Sequence, residues 1–243
     1  MTYRNSVAAL AADGAQASEL PKPIAGPGRP DRYRLKDGSV VPSVTTITGR
    51  FKGAGGLIRW AYNCGRDGKD IDKERDEAAS TGTLAHAMIE ASIHHQPLPG
   101  PTSEYTPEMT VAAGLGFAGF LEWREQTHLE ILATETPLVS ELHRFGGTPD
   151  IVGRQKDGSL ALLDLKSSNA IYPEYLAQCG GYVVLLEGDG FQPIEHLHLL
   201  RVGKDDGSFH HHHWGRPTIE LAVTGFLGMR ALYDTMALLK KAI

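Results

Sequence analysis

Three side chains between residues 150 and 166 have the types and spacing to act on a phosphate ester. Asp150 follows Pro149 at the mouth of one apolar run, and Asp164 and Lys166 interrupt the end of the next. Side chains alternate across a strand, so Asp164 and Lys166 project from one face of a segment that also carries Leu162, Leu163 and Leu165. A lone charge is costly to bury, so the pair either neutralises itself at a hairpin edge or faces a cleft that uses it. From Asp150 to Asp164 there is room for a strand, a turn at Asp157-Gly158 and a returning strand, which brings the two carboxylates together. Adjacent carboxylates repel unless a cation lies between them, and a hard ion such as Mg²⁺ or Mn²⁺ binds through oxygen. Such an ion polarises a phosphoryl oxygen and lowers the pKa of an attacking water. A nearby ammonium offsets the charge that develops in the transition state. The set is coherent for phosphodiester hydrolysis, with an edge salt bridge as the alternative.

Pro149-Asp150 followed by Asp164-Leu165-Lys166 resembles the PD-(D/E)XK nuclease signature. "GTLAHAMIE", residues 82 to 90, is similar to the Gly-Thr-x-x-His helix of RecB-like nucleases, and "QCGGY", residues 178 to 182, to their Gln-x-x-x-Tyr motif. "VPSVTTIT", from Val41, resembles a Pro-Ser-Val-Thr segment of the mitochondrial genome maintenance exonuclease and related phage enzymes. The resemblance implies an α/β (α+β) fold, a restriction-endonuclease-like mixed sheet flanked by helices, with an N-terminal helical region. It implies a DNA exonuclease dependent on Mg²⁺ or Mn²⁺, acting on single strands or ends in recombination, repair or replication. Asp150 and Asp164 match the metal-binding acids, with the Leu165 carbonyl as a further ligand. Lys166 matches the catalytic lysine, and His86 the histidine that completes the metal site. Gln178 and Tyr182 match the motif that braces the site or touches DNA, and Glu135 is the candidate for an extra upstream acid. Relatives with an iron–sulfur cluster use four cysteines, whereas this chain has only Cys64 and Cys179, so the cluster-free branch is implied. A non-catalytic DNA-binding or assembly protein and a structure-specific endonuclease are the alternatives.

Other residues carry weaker signals. Ser43 and Thr45, then Arg50, Lys52, Arg59 and Arg66, are candidate DNA contacts, with Trp60 and Tyr62 as stacking or core aromatics. His86, Glu90 and His94 recur every four residues, which offers one helical face to a transition metal as a rival reading. In the run His210 to His213, alternate side chains of a strand face opposite sides, so only two of the four can share a metal. An exposed hairpin arm touching DNA or a partner is expected there. No glycine-rich phosphate loop is present, so no nucleotide is expected, and any helicase, recombinase or single-strand-binding partner is a separate chain.

The elements that must position these residues follow from periodicity. Residues 1–30 read as a flexible tail, 31–128 as a helical and DNA-contact region, and 129–243 as the nuclease core, with 31–243 one domain. After a turn at Asp37-Gly38 and a β-branched run broken by Pro42, helices are predicted over "GLIRWAYNCGRDG", from Lys73 to about His94 with a bend or cap at Ser80-Thr81, and from Pro107 to about Thr127. "LEILATETPLVSELH", "TPDIVGRQ" and "SLALLDLKSS" read as three strands, "YPEYLAQCGGYVVLLEG" as a helix, "IEHLHLLRVGKDDGSFHHHHWG" as a hairpin, and the end as a helix. Net charge is −5, but residues 1–70 carry 11 Lys and Arg against 6 Asp and Glu, while the remainder carries 13 against 23. The basic part is either a solvated arm or one side of a polyanion groove. No apolar stretch spans a membrane and no signal peptide opens the chain, so a cytoplasmic setting is expected.

Overall fold

The computed structural model describes residues 24–25, 28–99, 105–168, 170–191, 193–203 and 207–243; side chains at 24–25, 54–57 and 77–80 are not described. Its centre is the pair of apolar runs around the Asp157-Gly158 turn. Gly158 takes φ +90°, and Asp157 Oδ1 accepts the Ser159 N–H at 3.0 Å, so strand β7 (Ile151–Arg154) folds back on β8 (Leu160–Ser167). Helix α5 (Pro173–Gly188) carries the chain over to β9 (Ile194–Val202), which runs parallel to β8. Strand β4 (Glu130–Thr134) lies antiparallel to β7, and β10 (Phe209–Gly215) antiparallel to β9. The two-residue β1 (Ile24–Ala25) adds in parallel to β4, giving the order β1-β4-β7-β8-β9-β10.

Both faces of this mixed sheet are covered, which is why β8 is apolar almost throughout. On one face, α3 (Ile71–Ile93) and α4 (Pro107–Thr127) pack Ile89, Ile93, Phe120 and Trp123 against Leu163, Leu165 and Leu200. On the other, α1 (Val44–Gly49), α5 and α6 (Arg216–Lys241) pack Val44, Ile47, Tyr182 and Phe226 against Leu162, Leu197 and Leu199. Gly180 lets α5 meet α6 backbone to backbone, since a Cβ there would lie 2.3 Å from the Ala222 carbonyl. The mixed α/β sheet flanked by helices expected from the sequence is therefore present, in an order consistent with a restriction-endonuclease-like core.

Several elements differ from the sequence reading. The β-branched run after Pro42 is the helix α1, because Ser43 Oγ caps the Thr46 N–H at 2.9 Å and Val44 and Ile47 find a core to enter. Only the short β2 (Tyr33–Arg34) and β3 (Val40–Val41) form strands before it. The long segment read as one strand from Leu129 breaks at Glu135, and its second part becomes β5 (Leu138–Ser140), paired with β6 (Phe145–Gly147) in a separate sheet. Helix α3 starts at Ile71, capped by Asp70, and runs without a break through Ser80 and Thr81. The helix over Ala54–Arg66 (α2) forms as expected. Ile24–Ala25 form a strand inside the stretch read as a tail, and residues 1–23 lie outside the described residues. Cys64 and Cys179 are both buried and free. Among the described residues no helix is long and apolar enough to cross a membrane.

Candidate active site

The β7–β8 hairpin brings Asp150, Leu165 and the Asp164–Lys166 pair to one end of the sheet. Asp150 stands just before β7, and its Oδ2 accepts the Leu165 N–H at 2.9 Å. Asp164 points to the α5 side and is completely buried, with its carboxylate in an ion pair with the Lys166 ammonium. Apart from that pair, neither Asp164 oxygen finds a hydrogen-bond donor among the described residues. The Lys166 Nζ also lies 5.4 Å from the Tyr175 ring centroid, a cation–π distance. One turn further along α5, Gln178 Nε2 donates to Tyr182 Oη at 3.0 Å, with Tyr182 buried beneath it.

His86 comes from the opposite face, on α3. Gly82 precedes it by one helical turn and rests directly on β8: a Cβ at Gly82 would lie 2.2 Å from Ser167 Oγ. The missing side chain lets α3 approach β8 closely enough for His86 to reach the Asp150 end. His86 Nε2 is buried and has no hydrogen-bond partner among the described residues. It opens onto a cavity of about 30 Å³, room for a small ion or a water, lined by His86, Glu90, Glu135, Asp150 and Leu165 with Thr134 and three isoleucines. Glu135 holds a left-handed backbone, φ +42°, fixed by its N–H to the Asp150 carbonyl at 2.9 Å. A non-glycine residue in that region costs about 1 kcal/mol or more, and such strain gathers at functional sites.

The electrostatics describe a place short of positive charge. Burial pushes the Asp164 carboxyl up to about 6, against the pull of Lys166. Burial also raises Glu135, helped by the charges of Glu90 and Asp150. Burial disfavours the Lys166 ammonium, but Asp164 and Asp150 overcome it and hold the amine protonated well above the usual lysine range. Burial lowers His86, which keeps its ring neutral, with Asp150 opposing. The donor set, carboxylates with one neutral imidazole and a peptide carbonyl, suits a hard divalent cation. Among the described residues, no three His, Cys, Asp or Glu side chains stand already converged on an ion, and Asp164 is turned to Lys166.

Of the residues singled out from sequence, the structure gathers His86, Glu135, Asp150 and Leu165 around the cavity, with Asp164 and Lys166 beside it and Gln178 and Tyr182 behind the lysine. The rival histidine triple does not form: His86 and Glu90 share the cavity, but His94 Nε2 is bonded to Thr134 Oγ1 at 2.8 Å. Ser43 is occupied as the cap of α1, and Thr45 bonds to it at 2.9 Å. Arg50, Lys52 and Arg59 are exposed, while Arg66 is paired with Asp67 at 2.9 Å. Tyr62 is exposed and Trp60 partly buried. Sequence reasoning missed two members. In the sequence Glu90 stands out only within the histidine triple, although its place one turn after His86 puts it on the same face. Arg29, whose charge acts on His86, Glu135 and Asp164, lay in the presumed tail, where nothing marked it.

No family model and no curated protein sequence matches the chain. Among solved structures, LHK-Exo, an alkaline exonuclease from Laribacter hongkongensis, is similar at 18% identity over 67% of this chain and 92% of that one, with a TM-score of 0.33. Its complex with dAMP gives 14% identity, 69% and 91% coverage and a TM-score of 0.36. The structure of SSO0001 gives 14%, 60%, 73% and 0.31. Likenesses this distant leave family and activity to the chain's own residues.

Proposed function

We propose that the chain is a divalent-cation-dependent deoxyribonuclease that hydrolyses phosphodiester bonds at single strands or free ends of DNA. The observation that carries this reading is one junction: Asp150 bonded to the backbone of Leu165, between a buried Asp164–Lys166 pair and a buried His86 nitrogen with no partner. A salt bridge made for stability alone does not account for the unpartnered imidazole or for Glu90, Glu135 and Asp150 meeting at one cavity. His86, Asp150, Asp164 and the Leu165 carbonyl would hold Mg²⁺ or Mn²⁺, with Glu135 as a further acid. When bound, the ion supplies Lewis-acid polarisation of the phosphoryl oxygen and a more acidic water.

The chain's own groups divide the remaining work. Lys166, held protonated by two carboxylates, is a donor and a positive charge; it orients the attacking water and offsets charge on the phosphoryl oxygens. Tyr175 holds that ammonium over its ring, and the Gln178–Tyr182 pair would brace the next turn of α5. Asp164 and Asp150 supply the negative charge that draws the cation in. The exposed Arg50, Lys52 and Arg59 would follow the DNA phosphates, so binding should weaken steeply with salt.

The test is cleavage of end-labelled linear DNA and of a covalently closed circle, with Mg²⁺ or Mn²⁺ and with EDTA. Wild-type protein should degrade linear single strands in a metal-dependent manner and spare the circle. Asp150→Asn, which keeps the shape of a half-buried residue, should lower the rate by about 100-fold or more. Tight DNA binding without turnover in either metal would instead favour a non-catalytic role.

A further inference from the structure

The histidine run in β10 belongs to a larger cluster on the sheet face away from Asp164. In the β9–β10 register His213 lies opposite His198, and alternation places His196, His198, His211 and His213 on one face. In the β8–β9 register His198 pairs with Leu163, whereas Asp164 pairs with Leu199 and faces the other way. The four rings form a stacked row, with centroid distances of 5.1 Å for His196–His213, 4.7 Å for His213–His198 and 5.1 Å for His198–His211. Hydrogen bonds tie them in pairs: His196 Nδ1 to His213 Nε2 at 2.9 Å, and His198 Nδ1 to His211 Nε2 at 2.8 Å. Gln155 Nε2 lies 3.0 Å from His198 Nε2, and the row lines an open cavity of about 430 Å³.

We propose that the His198–His211 pair, joined by the adjacent ring of His213 and flanked by His196, binds a divalent transition-metal ion such as Zn²⁺, at a site separate from the carboxylate centre. Imidazole suits Zn²⁺, Cu²⁺ and Ni²⁺, and cross-strand neighbours are near enough to share one ion. The hydrogen bond between His198 and His211 now places a proton where the ion would go. Two imidazole nitrogens on a tetrahedral zinc stand about 3.3 Å apart, so a pair at 2.8 or 2.9 Å must open by about 0.5 Å.

As the rings stand, no three ligating side chains among the described residues meet at one centre. Loading therefore moves the shared proton out of the His198–His211 gap, puts the ion there and turns the adjacent His213 ring towards it, which the open cavity allows. For His198 Nδ1 to ligate, its ring proton must move to Nε2. His198 Nε2–H then donates a hydrogen bond to the oxygen of a flipped Gln155 amide, the outer partner that metal-bound histidines usually have. The ion would fasten the edge strand β10 to β9, beside Trp123 of α4, whose ring lies 5.3 Å from His211 and 5.8 Å from His198.

The experiment titrates the metal-stripped full chain with Zn²⁺ by calorimetry against a chelating dye, and follows thermal melting with and without the ion. Wild-type protein should take up one tightly held Zn²⁺ and melt higher with it. His198→Ala/His213→Ala should bind about 100-fold more weakly or worse, and Gln155→Leu about 10-fold more weakly. His213→Ala alone, at an exposed position, serves if the double variant fails to melt cooperatively. Asp150→Asn and His86→Ala should keep the zinc uptake, which separates this site from the carboxylate centre. No uptake by wild-type protein, uptake unchanged in the His213 variants, or uptake lost in Asp150→Asn would each overturn the proposal.

Discussion

Asp164 governs the candidate site because it is a fully buried carboxylate paired directly with the Lys166 ammonium, with the charge of Arg29 acting more weakly. Replacing Lys166 is more than a functional change, since removing one partner of this buried pair leaves the Asp164 carboxylate without its ion pair. Lys166→Ala should therefore destabilise the fold by about 3–5 kcal/mol, measured by urea denaturation in EDTA. Replacing both partners with apolar side chains, Asp164→Leu with Lys166→Met, should recover most of that loss while leaving cleavage abolished. A double variant no more stable than Lys166→Ala would contradict the stranded-charge account. Asp150→Asn is the cleaner functional probe for the same reason, because Asp150 is only half buried.

At the scale of elements, the site depends on how closely α3 can press on β8. Gly82 makes that contact possible, and a Cβ there would meet both Ser167 Oγ at 2.2 Å and Ser167 Cβ at 2.5 Å. Gly82→Ala should cost about 1–3 kcal/mol by overpacking and draw His86 away from Asp150, slowing cleavage. Ser167→Gly on top of it should restore part of both losses, as melting temperature and initial rate would report; additive losses would mean that the contact does not set the position of α3. This link also explains which elements were legible in the sequence. The hairpin around Gly158 and helices α2 to α6 follow from apolar periodicity and turn residues, and Gly82 and His86 share a face by spacing. Helix α1 was not legible, because "VTTITG" has strand-like propensity and only Ser43's cap and a core for Val44 and Ile47 make it helical. The break at Glu135 was equally hidden, since the left-handed backbone there is held by a bond to Asp150, fifteen residues on. Asp150, Asp164 and Lys166 could be read from type and spacing. Glu90 and Arg29 reach the site only through tertiary packing.

The molecule as a whole couples its two faces to pH in opposite senses. Among the described residues, three histidines on the β9–β10 edge are shifted towards the neutral form: burial, with the other histidines, pushes His198 down to about 3, and burial lowers His211 and His213 as well. An unfolded histidine titrates near 6.5, so below that pH the unfolded chain gains a proton that the folded row refuses. Stability that is complete above pH 6.5 is thus lost as pH falls towards about 3. Asp164, raised to about 6 from 3.8, works in the other direction, because its protonated form is the one the fold prefers. The two can be separated by removing His198, which is 4% exposed and lies on the sheet face away from Asp164. In EDTA, which keeps metals off both sites, wild-type protein should lose about 2 kcal/mol more than His198→Leu between about pH 7 and pH 5. Urea denaturation of both proteins at the two pH values measures the difference directly. If the two curves fall in parallel, His198 takes up its proton as readily in the fold as in the unfolded chain, and the acid-sensitive element lies elsewhere in the chain.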